Sequence, residues 1–143
     1  MKKKANMGYY MQVLSSVLDS TEEMGASLND YFEALRKFLD EGTKLTAEQY
    51  EKTNAEFTKG LELYHENLTK LTNVAAPVQI LGPHKLLVSS YKNFVAGCDK
   101  MQASIDYQAQ SIDKEMFDQA EEEQSNAMDA ISNHVQKIVR KVM

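Results

Sequence analysis

Tyr10, Leu14, Val17, Thr21, Met24, Leu28, Tyr31, Leu35 and Phe38 are spaced alternately by four and three residues. A repeat of 3.5 residues keeps such side chains on one stripe of an α-helix, whereas a strand, with its period of two, would scatter them over both faces. The chain therefore opens with a long amphipathic helix that needs apolar partners along its whole length. Gly42 is placed to cap its C-terminus. The segment Leu45-Thr46-Ala47-Glu48-Gln49-Tyr50 then restarts a helix, with a Thr-x-x-Gln capping box and a Leu45–Tyr50 hydrophobic staple.

A second seam runs through Tyr50, Asn54, Phe57, Leu61, Tyr64, Leu68 and Leu71 and stops ahead of Pro77. Pro83 suits the first position of a third helix, where its missing N–H has no partner to lose. That helix carries Leu87, Tyr91, Phe94, Cys98, Met101 and Ile105 inward. Ser111 or Asp113 can cap a fourth, whose inward face holds Phe117, Ala120, Gln124, Ala127, Ile131, His134 or Val135, and Ile138. The pattern predicts helices over about 5–41, 47–73, 83–109 and 113–142 in a single domain spanning 1–143, with no strand. Short connections between helices of similar length predict an all-α, antiparallel up-down-up-down four-helix bundle with coiled-coil-like seams.

With 143 residues, 43% apolar and 26% charged, the chain has enough apolar surface to offset the entropy of ordering, which excludes a disordered or low-complexity protein. The single cysteine, Cys98, cannot close an intramolecular disulfide. Lys2, Lys3 and Lys4 ahead of an apolar stretch imitate a signal peptide, but Asn6, Gln12, Ser15 and Ser16 interrupt the stretch and favour a helix. "VAGC" at 95–98 imitates a lipoprotein acylation box in mid-chain. No run reaches the roughly 18 to 20 apolar residues of a membrane span. The cytoplasm is the compartment this favours, with export open if a leader has been removed.

Up-down-up-down topology gathers Lys2, Lys3, Lys4, Lys70, Lys85, Lys137, Arg140 and Lys141 at one pole. The acidic residues of 40–51 and 106–123 gather at the other. Helix dipoles account for acids at N-termini and bases at C-termini, but not for Lys2 to Lys4. Either that tail is solvated, or the basic pole is a contact for an anionic surface or partner. Specific nucleic-acid recognition is not expected from a chain of net charge −5 without a basic, aromatic-studded stripe. At 1.5 Å per residue helix 1 would be about 57 Å long against roughly 40 to 45 Å for the others, so Met7, Tyr9, Tyr10 and Met11 should overhang and need a cover. The cover could come from the connection at 74–82, from the end of helix 4 or from a second copy of the chain. The expected interaction residues are Lys2, Lys3, Lys4, Tyr9, Tyr10, Lys137, Arg140 and Lys141.

Both prolines lie in "VAAPVQILGPHKL", residues 74–86, a corner whose Val78, Ile80 and Leu81 are placed to plug the basic end of the core. His84, in the first turn of helix 3, should be a neutral hydrogen-bonding group beside the helix N-terminus. Gly25, Gly60 and Gly97 fall at one level of the bundle. Glycine inside a helix is unfavourable, so these residues predict a waist of close helix approach beside Met24, Leu61 and Cys98. The alternative is a gap that a ligand fills.

Chemical motifs are sparse. His65, His84 and His134 belong to the half nearer the basic pole and are the candidate metal ligands, and Glu62-Leu63-Tyr64-His65 matches one Glu-x-x-His element of di-iron bundles. Helix 4 supplies no second such element, since Ile131 precedes His134 by three. Cys98 lies on an apolar stripe, which predicts an inert thiol. No phosphate-binding loop, dinucleotide turn or nucleophile elbow occurs, so neither a cofactor nor catalysis is expected.

In "APVQILGPHKLLVSSYKNFVAGCDKMQASID" a proline-bearing connection, a helix-opening histidine and a long amphipathic helix follow one another. This resembles small helical-bundle proteins of unassigned function from Gram-positive bacteria. The resemblance implies a bacterial, all-helical protein, exported or envelope-associated in some relatives, and assigns no residue a role. Together these readings lead to a non-enzymatic interaction or structural module, self-associating, binding a protein partner or touching an anionic surface through its basic pole. The alternative is a small-molecule or metal-binding bundle that uses the histidine-bearing end.

Overall fold

The computed structural model describes residues 5–143. Four helices dominate: α1 (Met7–Glu41), α2 (Ala47–Asn73), α3 (Leu81–Ala103) and α4 (Lys114–Val142). Asn6 caps α1 by accepting a hydrogen bond from the Tyr9 N–H at 3.0 Å. Gly42 ends it in the left-handed region, φ 75°, returning its N–H to the Phe38 carbonyl. The capping box at Thr46 is complete: its hydroxyl accepts from the Gln49 N–H and the Gln49 side chain accepts from the Thr46 N–H.

Cross-helix contacts establish the antiparallel order. Tyr10 at the start of α1 meets His84 at the start of α3, and Arg36 near the end of α1 meets Asp118 and Glu121 at the start of α4. Tyr50 at the start of α2 donates to the Gln110 carbonyl in the connection between α3 and α4. The molecule is an all-α up-down-up-down bundle.

Three local features differ from the sequence reading. The third helix stops at Ala103 rather than 109, where the Ser104 hydroxyl turns back to the Met101 carbonyl. Two-residue strands, Ile105–Asp106 and Ser111–Ile112, then pair antiparallel around a turn in which Gln110 has φ 56°. β-Branched Ile105 and Ile112 face each other there, so the chain does contain a short ladder. Finally, a 3₁₀ turn, Val78–Ile80, runs into α3 two residues ahead of Pro83. In a 3₁₀ turn residues three apart eclipse. Pro77 and Ile80 accordingly share the buried face, while Val78, 88% exposed, and Leu81 share the outer one. Of the three expected plug residues only Ile80 plugs the core.

The buried residues fall into two clusters. One, toward the basic pole, contains Tyr10, Leu14, Leu71, Leu87, Tyr91 and Ile138. The other contains Leu35, Tyr50, Phe57, Met101 and Phe117, and partly buried Leu28 touches both. α1 has no fully buried residue between Thr21 and Leu35, although its apolar repeat continues through Met24, Leu28 and Tyr31. The helices close on each other unevenly at that level.

Candidate functional site

The three glycines show how. A Cβ on Gly97 would meet Gln124 Cγ at 2.9 Å and the Gln124 backbone nitrogen at 3.3 Å, so α3 and α4 touch there nearly backbone to backbone. Gln124 Nε2 also donates to the Gly97 carbonyl at 3.1 Å. A Cβ on Gly60 would meet Leu28 Cδ1 at 2.7 Å, so α2 and α1 are close as well. A Cβ on Gly25 would meet nothing within 4 Å. The expected waist is tight along two seams and open along the third, between α1 and α4, where the exposed Gly25 and Ala26 of α1 and Gln124 and Ser125 of α4 line the gap.

The opening is a cavity of about 430 Å³ at mid-height. Leu28, Phe32, Leu61, Phe94, Met101 and Met128 form apolar walls, and Cys98 contributes its sulfur. Burial, reinforced by Asp99, pushes the Cys98 thiol up to about 12, so it stays protonated and is no nucleophile at neutral pH. Glu22, Asn29 and Glu121 stand at the polar side. Toward the acidic pole the seam is shut by Arg36, which donates to Asp40, Asp118 and Glu121 and lies 4.9 Å from the centre of the Phe117 ring. Phe32 stacks on Phe117 at 5.8 Å. Lys114 first, and then Arg36, hold the Asp118 carboxyl below its ordinary range.

Toward the basic pole α1 is fastened by a buried polar network. Thr21 Oγ1 lies 2.7 Å from the Tyr91 hydroxyl and donates to the Val17 carbonyl. Asn67 Nδ2 donates to Ser20, Thr21 and Tyr91 at 3.0 to 3.3 Å. Asn67 Oδ1 is buried without a protein partner. Asn67 lies one position before Leu68, which the seam placed inward. Asn67 is buried because it sits where α1, α2 and α3 meet, which only the fold reveals.

The expected interaction residues divide. Lys2, Lys3 and Lys4 lie outside the described residues. Tyr9 is 61% exposed, but Tyr10 is fully buried and is no overhang: α3 and the 74–82 connection cover it, and Met7 and Met11 pack on the same cluster. The Tyr10 hydroxyl lies 2.8 Å from His84 Nδ1, and burial raises its pKa to about 12. Burial likewise keeps His84 neutral, prevailing over a hydrogen bond with the Leu71 backbone that favours the charged form.

Lys137, Arg140 and Lys141 are together. They line a shallow groove with Gly82, Pro83 and Leu86. Leu86, 51% exposed, stands among the cations, with Val78 on the adjoining 3₁₀ turn and Leu81 at the start of α3 exposed as well. The 3₁₀ turn, not an apolar periodicity, places Val78 and Leu81 outside.

The histidines separate. His65 bonds Asp99 at 3.0 Å on the surface between α2 and α3, His84 is occupied by Tyr10, and His134 Nδ1 is buried without a hydrogen-bond partner. Among the described residues no group of three or more His, Cys, Asp or Glu side chains is placed to hold a metal ion. No described helix is long and apolar enough to cross a membrane. Comparison with protein-family models, curated proteins and solved structures gave no match.

Proposed function

We propose that the protein is a non-enzymatic interaction module whose basic end docks on an anionic lipid surface. The observation that carries this reading is the groove in which exposed Leu86 is flanked by Lys137, Arg140 and Lys141, with Val78 and Leu81 exposed beside it. A bilayer interface accepts apolar side chains into its outer acyl region while its headgroups neutralise the cations around them. A soluble anion would engage the cations and leave Val78 and Leu81 in water.

Helix α4 ends at this surface with Arg140 and Lys141 in its last turn. The helix dipole favours cations there in any case, but it does not explain the exposed apolar residues on α3 and its 3₁₀ lead-in. The net charge of −5 sits mainly at the opposite pole, which would hold that end away from an anionic membrane.

Co-sedimentation with vesicles tests the reading. Binding is expected to vesicles containing phosphatidylglycerol, not to phosphatidylcholine alone, and to weaken from low to high salt as the Debye length shrinks. Changing Lys137, Arg140 and Lys141 to Ser should reduce partitioning by about a hundredfold, at roughly 1 kcal/mol per cation. Changing Val78, Leu81 and Leu86 to Ser should also reduce it. No binding to the anionic vesicles at low salt overturns the reading.

A further inference from the structure

We propose that the mid-height cavity between α1 and α4 is a binding site for an apolar organic cation, a hydrocarbon or ring system carrying a quaternary or protonated amine. The site is separate from the basic end, and the inference does not depend on the membrane reading.

Size comes first. A cavity of about 430 Å³ falls within the range of roughly 300 to 1,000 Å³ typical of small-molecule sites. Its walls are largely apolar, as such sites require, with Leu61, Phe94 and Met101 at the back.

The gap also lacks a packing reason. Gly60 and Gly97 are each explained by a neighbour too close for a Cβ, but Gly25 has open space beside it in the middle of a 35-residue helix. A larger residue there would both favour the helix and fill the slot. Small residues at 25 and 26 keep it open.

Charge selects the occupant. Among the described residues no Lys, Arg or His lines the cavity, whereas Glu22 and Glu121 do. Arg36 and Lys114 stand against Asp40, Asp118 and Glu121, so with Glu22 at the cavity the seam around the mouth carries excess negative charge. A fatty acid or other apolar anion would meet carboxylates with no cation to receive its head. A cationic head would meet Glu22 and Glu121 while its apolar body lay against the Phe32 and Phe94 rings, whose faces attract cations.

Two ions of nearly the same shape and opposite charge make the test. Titration calorimetry of the full chain with tetraphenylphosphonium should show saturable one-to-one binding. Tetraphenylborate should bind the same site at least about tenfold more weakly. Gly25→Leu should weaken phosphonium binding at least about tenfold while leaving the thermal midpoint unchanged or higher, so that lost binding is not lost folding. Glu22→Lys, an exposed change that cannot disturb the core, should weaken it severalfold. Absence of saturable phosphonium binding at millimolar concentration, binding unchanged by both substitutions, or borate binding as tight and as sensitive to Gly25→Leu, each overturns the proposal.

Discussion

The seam between α3 and α4 and the seam between α1 and α4 share one helix and close in opposite ways. On the first, Gly97 lets the backbones approach until Gln124 bonds the Gly97 carbonyl. On the second, Gly25 stands at the same height with nothing opposite, and α1 reaches α4 mainly near the acidic end, through Arg36 and the Phe32–Phe117 stack. A glycine in a helix thus has two opposite meanings, contact and vacancy, and only the partner helix decides which. At mid-height α1 lies close against α2 and stands open toward α4.

Breaking the fastening near the basic pole should have the largest effect. Asn67→Ala removes the donor to Ser20, Thr21 and Tyr91 from a site 1% exposed, leaving a void and three hydroxyls that each lose one donor. A loss of about 2 to 3 kcal/mol in urea unfolding is expected. Tightening the closed seam comes next. Gly97→Ala gains helix propensity but must push back the Gln124 backbone, and a net loss of about 1 to 2 kcal/mol is expected from the same measurement.

Acid should loosen the basic-pole fastening in a graded way. His84 has a pKa below 6.5 when folded and regains 6.5 when unfolded. Between those values the unfolded chain binds more protons, so stability falls as pH drops below about 6.5 toward the folded pKa, and is full above it. His84→Gln should remove that part of the slope in unfolding midpoints measured across pH 4.5 to 7.5. The smallest effect is expected at Gly60→Ala. The clashing atom there is the tip of Leu28, which borders the cavity and can swing into it, so the change should stay within about 0.5 kcal/mol of zero.

Much of the bundle was legible in the residues. The 4-3 repeat in α1, the Thr46 capping box and Gly42 set two helices and their turn, and short connections set the topology. The end of α3 was not, because Ile105 continues the apolar repeat past the point where Ser104 turns the chain. Tyr10 was read as an overhang in need of a cover, with the 74–82 connection among the candidates; it is buried against His84 of α3, in the cluster that also holds Ile80. The slot was half visible: α1 repeats without interruption, but α4 supplies only Ala120, Gln124 and Ala127 on its inward face across that level. Periodicity records which face is inward and says nothing about whether the volumes facing each other fill the space.

The open seam rests most directly on the sign of one pair of substitutions. Gly25→Ala and Gly97→Ala make the same chemical change on two helices at one height, and their urea midpoints can be read side by side. Gly25→Ala should raise stability by about 1 kcal/mol, since the Cβ enters empty space and the helix gains, while Gly97→Ala lowers it. Two shifts of the same sign, or a loss at Gly25, would mean that α1 lies against α4 and that the seam is closed.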